Sequence, residues 1–210
     1  GGNVRLSPAD DILIRVQRPL DFDSDGQLVA SVLSKKIAAG STHVLIDMPV
    51  GPTAKVRSEA AAHSLGTRLA HTAGALGLQL GIHRSDGTQP VGRGIGPALE
   101  AHDVLKVLRN AADAPADLRE RALALSAALL DMAPGSNAGT GLERARGVLD
   151  SGAALAKFLA ICEAQGGFRE PPRAAFTADV PAPASGRIAA IDSRRLAKLA
   201  KLAGAPTSPT

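Results

Sequence analysis

The chain has 210 residues, of which 45% are hydrophobic and 2% are aromatic, and its net charge is +4. That hydrophobic content is enough for one domain with a proper core and a smaller appendage, which excludes a disordered chain. The absence of Trp and Tyr argues against single-stranded nucleic-acid binding, which relies on base stacking, while the modest charge suits a small anionic ligand.

The first half of the chain alternates predicted strands and helices. In chain order these are a strand at 12–16, a helix at 27–40, a strand at 43–48, a helix at 58–76 and a strand at 78–82. Ser24 or Asp25 is expected to cap the first helix, and Gly40 is expected to end it in a left-handed conformation. This order predicts an α/β fold with a layered, mostly parallel sheet flanked by helices.

The second half is predicted to be mainly helical. Four helices are expected to wrap the sheet, at 97–109, 115–132, 139–151 and 153–165. A segment rich in Pro and Ala at 170–183 indicates a linker. We therefore predict a central α/β domain at 1–172, and at 173–210 the linker and the truncated start of a C-terminal α+β domain, with a strand at 186–192 and a basic helix at 193–202.

Polar residues recur every four positions on the predicted helix at 27–40, opposite an apolar stripe. The polar side holds Gln27, Ser31 and Lys35, and the apolar side holds Val29, Leu33 and Ile37. A hydroxyl and an ammonium one turn apart point the same way, so Ser31 and Lys35 could together hold a carbonyl-bearing ring or an anion. A solvated helix face gives the same spacing, so both interpretations stay open here.

Two loops follow the predicted buried strands, at the edge where parallel sheets bind ligands. In the first, Asp47 ends a strand, and a constrained turn then brings Thr53 and Lys55 to the same rim. The second loop, at 83–96, has three glycines before a helix N-terminus and could offer N–H groups to an anion. It lacks the GxGxxG spacing, so it does not indicate a dinucleotide site.

Other chemistry is largely excluded. The single cysteine, Cys162, allows neither an intramolecular disulfide nor a cysteine-based zinc site, and the five histidines lack metal-ligand spacing. Neither a signal peptide nor an apolar run of membrane-spanning length is present, so we expect a cytoplasmic location with no membrane partner.

Several motifs together resemble one known family. They are LSPAD at 6–10, SVLSKKIAAG at 31–40, VLIDMPVG at 44–51 and QPVGRGIGPALEAHDVLKVL at 89–108. In this order they are similar to the pyrimidine-nucleoside phosphorylases, and within that family to the branch that holds AMP phosphorylase and its thymidine phosphorylase relatives. The resemblance covers nearly the whole chain.

The resemblance implies a pentosyltransferase that cleaves a pyrimidine nucleoside with inorganic phosphate, giving the free base and a (deoxy)ribose 1-phosphate. It implies that Ser31, Lys35 and the upstream Arg18 bind the base, with Lys35 in the catalytic role. It also implies a monovalent cation bound by Val91, Gly94 and Asp103, no organic cofactor and a homo-oligomeric full-length protein. A nucleoside 5'-monophosphate such as AMP is the alternative substrate, and a non-catalytic small-molecule-binding or scaffold domain is the alternative of another class.

The family's Gly-rich phosphate-binding segments do not occur in these 210 residues. We therefore expect the chain to be a fragment that lacks the N-terminal phosphate-binding part. By itself it is expected to fold in its α/β part and to be inactive as a phosphorylase, because phosphate is the nucleophile and needs a site of its own.

Overall fold

A computed structural model of the chain describes residues 7–17, 24–137 and 139–205. These residues form the helices α1 (Pro8–Gln17), α2 (Asp25–Ala38), α3 (Glu59–Ala75), α4 (Pro97–Leu108), α5 (Ala116–Asp131), α6 (Gly141–Asp150), α7 (Ala153–Ala164) and α8 (Ser193–Leu202), and the strands β1 (His43–Val50) and β2 (Gln79–Asp86). The chain divides into two compact units. Unit 1 holds the described residues of 1–85 and 132–134, and unit 2 holds those of 86–131 and 135–205.

Unit 1 is built around a two-stranded parallel sheet and confirms the predicted α/β class. Alternate residues of the strands face one core, since side chains of a strand point to opposite faces. Helices α2 and α3 close that core with apolar side chains. The buried members are Val29, Leu33, Val44, Met48, Val56, Ala62, Leu65, Leu69, Ala73 and Leu78.

Helix α2 begins and ends close to the predicted positions. The Ser24 side chain accepts a hydrogen bond from the Gln27 N–H, so Ser24 is the N-cap. After the last helical turn, Gly40 has a φ of +71°, the left-handed conformation that glycine adopts without strain. Val29 and Leu33 of α2 are buried in the core of unit 1, which fixes the rotation of the helix and therefore the direction of its polar side.

The strand predicted at 12–16 is wrong, because these residues lie in helix α1. The branched residues favoured a strand, but a helix start signal precedes them. Pro8 occupies the start of the helix, and Asp10 and Asp11 lie in its first turn, where carboxylates interact favourably with the helix dipole. The Asp11 N–H donates to the Ser7 carbonyl at 3.1 Å, which closes the first turn.

Unit 2 contains a separate helical core. Its buried residues come from α4, α5 and α6, namely Val107, Leu123, Ala145 and Leu149. The four helices predicted between 97 and 165 are confirmed within a few residues at each end. None of the described helices has the length and apolar character that crossing a bilayer requires.

The strand predicted at 186–192 is also wrong. These residues have no regular secondary structure, and Ile188 is exposed. A strand needs a neighbour for its backbone hydrogen bonds. Here the Ile191 N–H donates instead to the side-chain oxygen of Gln89 at 2.8 Å, and Asp192 caps α8. The domain boundary near residue 172 stays a prediction.

Candidate active site

The polar side of α2 meets a carboxylate from α1. The Ser31 hydroxyl donates to Oδ2 of Asp10 at 3.0 Å, and the Lys35 ammonium donates to the same oxygen. Lys35 Nζ also lies 2.9 Å from Ser31 Oγ and 3.0 Å from the Ser31 carbonyl oxygen. We call these three residues the Asp10 cluster. The structure therefore brings Ser31 and Lys35 into direct contact, as their spacing predicted.

The Asp10 cluster is partly shielded from water. The Asp10 side chain is 7% exposed and the Lys35 side chain is 25% exposed. The hydrogen bond from Lys35 lowers the pKa of Asp10 below its ordinary value of 3.8, and the Ser31 hydroxyl and the charge of Lys35 act in the same direction, while burial opposes them. Asp10 is consequently a carboxylate at neutral pH, and it forms a shielded ion pair with Lys35.

All three donors of the Lys35 ammonium are in use. An ammonium has three N–H groups, and here its acceptors are Asp10 Oδ2, Ser31 Oγ and the Ser31 carbonyl oxygen. The ammonium is therefore held in one position by a neighbour on its own helix and by a carboxylate from another helix. A ligand that approaches Lys35 must share or replace one of these acceptors.

Sequence periodicity missed Asp10. It precedes Ser31 by 21 positions and Lys35 by 25, and it lies on a helix that was predicted as a strand. The available signal was the helix start at Ser7 and Pro8, followed by Asp10 and Asp11. That signal would have placed a carboxylate on a helix, although not against Lys35.

Arg18, the third predicted base-binding residue, lies outside the described residues. Asp47 lies within β1, which continues to Val50 rather than ending at Asp47 as predicted, and it accepts a hydrogen bond from the Ser85 hydroxyl of β2 at 2.6 Å. The Thr53 hydroxyl is buried and has no hydrogen-bond partner among the described residues. The predicted convergence of Asp47, Thr53 and Lys55 on one rim stays a prediction.

The N–H groups of the glycine-rich loop in unit 2 bind carboxylates of the chain itself. The Arg93 and Gly94 N–H groups each donate to Oδ2 of Asp103 at 2.7 Å, and the Gly92 N–H donates to Asp117 at 2.9 Å. At the end of the loop, the Gly96 N–H donates to the Glu100 side chain at 3.0 Å. These N–H groups therefore already have anionic partners within unit 2.

The predicted cation ligands receive mixed support from this geometry. Asp103 is buried and lies beside Gly94, as a shared site requires, but the contact uses the Gly94 N–H rather than its carbonyl. Two N–H bonds offset part of the carboxylate charge. In the described residues, no group of three His, Cys, Asp or Glu side chains is arranged to hold a metal. Asp103 thus acts at least as the anchor of the loop.

An apolar cavity of about 420 Å³ lies between α4, α5, α6 and α7 in unit 2. Its lining side chains are aliphatic apart from Ser126. A substrate site needs several polar groups to orient its ligand, and this cavity offers a single hydroxyl. The Asp10 cluster is therefore the better candidate for chemistry.

Comparison with known proteins gives one consistent result. The chain is 66% identical over 209 residues to "Putative thymidine phosphorylase 2" of Acidovorax sp. (strain JS42), and 60% identical over 208 residues to "Putative thymidine phosphorylase" of Hahella chejuensis (strain KCTC 2396). The matches cover 100% and 99% of this chain, and 41% of each relative. The chain is homologous to a segment of these relatives. The family resemblance predicted from the motifs is thereby confirmed.

A third relative agrees with the other two. The chain is 64% identical over 206 residues to "Putative thymidine phosphorylase" of Polaromonas sp. (strain JS666 / ATCC BAA-500), which is 98% of this chain and 40% of that relative. No protein-family profile matches the chain. The chain thus spans about two fifths of the length of the relatives that it matches.

Proposed function

We propose that this chain supplies the base-binding part of a thymidine phosphorylase. The full reaction transfers a pentosyl group from a pyrimidine nucleoside to inorganic phosphate and releases the free base and a (deoxy)ribose 1-phosphate. The structural observation that carries the proposal is the Asp10 cluster, in which a hydroxyl and an ammonium lie 2.9 Å apart on one face of α2. The names of the relatives support the same reaction.

Lys35 is the residue proposed to act on the leaving base. As the N-glycosidic bond breaks, negative charge develops on the base and positive charge on the sugar, so an ammonium beside the base stabilises the transition state. Ser31 is proposed to bind the same base through its hydroxyl. Phosphate is the nucleophile, so the protein needs no nucleophilic side chain, and orientation of the two substrates supplies much of the acceleration.

Binding of the base requires an exchange of hydrogen bonds at Lys35. The ammonium has two contacts with Ser31 and one with the buried Asp10 carboxylate. A neutral carbonyl oxygen of the base is a weaker acceptor than a carboxylate. We therefore expect the base to take the place of a Ser31 contact and to leave the ion pair with Asp10 intact.

Two further assignments belong to this proposal. Arg18 would be a third base-binding residue. Val91 and Gly94 would supply carbonyl oxygens, and Asp103 a carboxylate oxygen, to a monovalent cation, and the buried position of Asp103 beside this loop supports that assignment. The full-length protein is further proposed to be a homo-oligomer.

Two other functions are separable by experiment. A phosphorylase of nucleoside 5'-monophosphates such as AMP could use the same base contacts, and it would differ by its need for the 5'-phosphate. A non-catalytic binding or scaffold domain is favoured by one observation, namely that each donor of the Lys35 ammonium has an acceptor within the chain.

The test is a phosphorolysis assay of the full-length protein in which this sequence occurs. Release of base from thymidine, uridine, AMP, CMP and UMP is measured in phosphate buffer, and the best substrate distinguishes the two phosphorylases. Lys35→Met is expected to lower kcat/KM by roughly a hundredfold or more, because a charged donor to the leaving group contributes on the order of 3 kcal/mol.

The matched control is Lys36→Met, which removes the next charge on the same helix but lies outside the Asp10 cluster. Each variant is assayed well below its melting temperature. A loss below about threefold for Lys35→Met, or an equal loss for Lys36→Met, rules out Lys35 as a leaving-group contact. Absence of phosphate-dependent base release from every substrate favours the non-catalytic alternative.

A further inference from the structure

We infer that Asp10 is a positioning residue of this site, which holds the Lys35 ammonium and the Ser31 hydroxyl in the geometry that receives the base. This inference rests on the proposed function of Lys35. It adds a residue that the motif comparison did not assign to the site, and it gives α1 a role in the reaction.

A single oxygen, Asp10 Oδ2, accepts hydrogen bonds from both Ser31 and Lys35. Lysine has a long, flexible side chain and loses much rotamer freedom when it is fixed. A contact with Ser31 alone leaves the ammonium tied only to its own helix. A carboxylate on a second helix fixes the ammonium from outside α2, and donors fixed in advance do not have to reorganise during the reaction.

The burial pattern of α1 sets Asp10 apart from the other described side chains of this helix. Ile12, Leu13 and Val16 are exposed by half or more, whereas Asp10 is 6% exposed. Helices normally bury their apolar side and leave carboxylates in water. Asp10 is the residue that α1 buries most deeply among its described side chains. The helix therefore contributes a carboxylate, more than apolar area, to its contact with α2.

A purely structural tie between α1 and α2 is the competing explanation. A second contact already joins these segments, since the Ser7 and Ser34 hydroxyls lie 3.3 Å apart. A structural tie predicts that loss of Asp10 lowers stability and affects catalysis independently of Lys35. A positioning role predicts that the catalytic effect of Asp10 depends on Lys35, and a double-mutant cycle measures that dependence.

The experiment compares Asp10→Asn, Lys35→Met and the double variant in the full-length protein, with thymidine and phosphate as substrates. Asparagine keeps the shape and one acceptor oxygen of Asp10 but loses the charge. Asp11→Asn is the matched control, because Asp11 lies beside Asp10 in the first turn of α1 and outside the cluster. Melting temperatures are recorded for every variant, and kcat and KM are determined well below them.

We expect Asp10→Asn to lower kcat by roughly tenfold or more and to change KM by less than about threefold. In the Lys35→Met background, Asp10→Asn is expected to change kcat by less than about twofold. Asp11→Asn is expected to stay within about twofold of the unmodified protein. If Asp10→Asn lowers kcat by the same factor in both backgrounds, Asp10 acts independently of Lys35 and the inference is wrong.

The remaining outcomes separate the inference from the function on which it rests. If Lys35→Met abolishes activity while Asp10→Asn leaves or raises kcat, the positioning role is wrong and the proposed function stands. If Lys35→Met leaves kcat/KM within about threefold, Lys35 is not a leaving-group contact and the inference loses its basis. Absence of phosphate-dependent base release by the unmodified protein would overturn the proposed function itself.

Discussion

Replacement of Lys35 by methionine should destabilise unit 1, and the burial of its partner determines the size of the effect. Methionine keeps most of the apolar stem and removes the ammonium. The Asp10 carboxylate, whose side chain is 7% exposed, then keeps only the Ser31 hydroxyl as a donor in the cluster. Removal of one member of a buried ion pair costs roughly 3 to 5 kcal/mol, because the other charge stays buried without compensation.

We expect the cost of Lys35→Met at pH 7 to lie near the lower limit, at about 3 kcal/mol, because the Lys35 side chain is itself 25% exposed and water can enter where the ammonium was. Removal of the other charge by Asp10→Asn should lower the free energy of unfolding by only about 1 kcal/mol, since the Lys35 ammonium keeps its two acceptors on Ser31 and some contact with water. In the double variant, the loss of unfolding free energy should be about 1 to 2 kcal/mol smaller than the sum of the losses in the two single variants.

Urea denaturation followed by circular dichroism measures these free energies, and hydrogen exchange of peptides from α2 and β1 assigns the change to unit 1. Lys36→Met is the control, with an expected change within about 0.5 kcal/mol. Strictly additive losses of unfolding free energy would contradict this prediction, because they would show that the charges of Asp10 and Lys35 do not depend on each other. A loss for Lys35→Met no larger than that for Lys36→Met would also contradict it.

Two further predictions concern pH and cations. The Lys35 hydrogen bond lowers the pKa of Asp10 in the folded protein below 3.8, so the unfolded chain binds more protons at Asp10. The stabilisation that the Asp10 carboxylate contributes to the folded state is therefore complete well above pH 3.8. It is lost as the pH falls through the lowered pKa. The difference in unfolding free energy between the unmodified protein and Asp10→Asn should therefore be constant from about pH 5 to 7 and shrink toward pH 3, as urea titrations at each pH would measure. If Asp103 binds a monovalent cation, potassium should raise the melting temperature by a few degrees relative to choline at equal ionic strength, and Asp103→Asn should remove this difference.

Each of these predictions has a control in the same structure. Asp11→Asn should change stability by the same small amount from about pH 5 to 7, and a difference for Asp10→Asn that persists unchanged at pH 3 contradicts the lowered pKa of Asp10. Asp117→Asn removes another carboxylate that binds the glycine-rich loop, through Gly92. It should keep the potassium response. Equal melting temperatures in potassium and choline would leave Asp103 as a loop anchor alone.

Local sequence patterns predicted the elements whose stability depends on neighbours along the chain. The cap at Ser24, the apolar positions Val29 and Leu33, and the left-handed Gly40 together located α2 to within a few residues. The contact between Ser31 and Lys35 followed from the same pattern, because residues four apart on a helix lie on one face. The family resemblance was likewise visible in contiguous motifs.

Strand propensity gave the wrong prediction at two segments, 12–16 and 186–192. The branched residues at 12–16 favour a strand in isolation, but Pro8 and the two aspartates after it start a helix, and α1 results. The segment at 186–192 has strand-like composition and remains irregular, because a strand exists only when a second strand accepts its hydrogen bonds.

The partner that the polar side of α2 faces depends on tertiary packing. Ser31 and Lys35 would have the same spacing in contact with solvent, a ligand or another helix. The partner, Asp10, lies 21 and 25 positions away on a different helix, so the period of α2 does not relate it to Ser31 and Lys35. The same holds for the glycine-rich loop, whose N–H groups could have received an external anion but bind Asp103 and Asp117 instead. Periodicity determines which residues share a face, whereas the choice of partner depends on how distant segments pack.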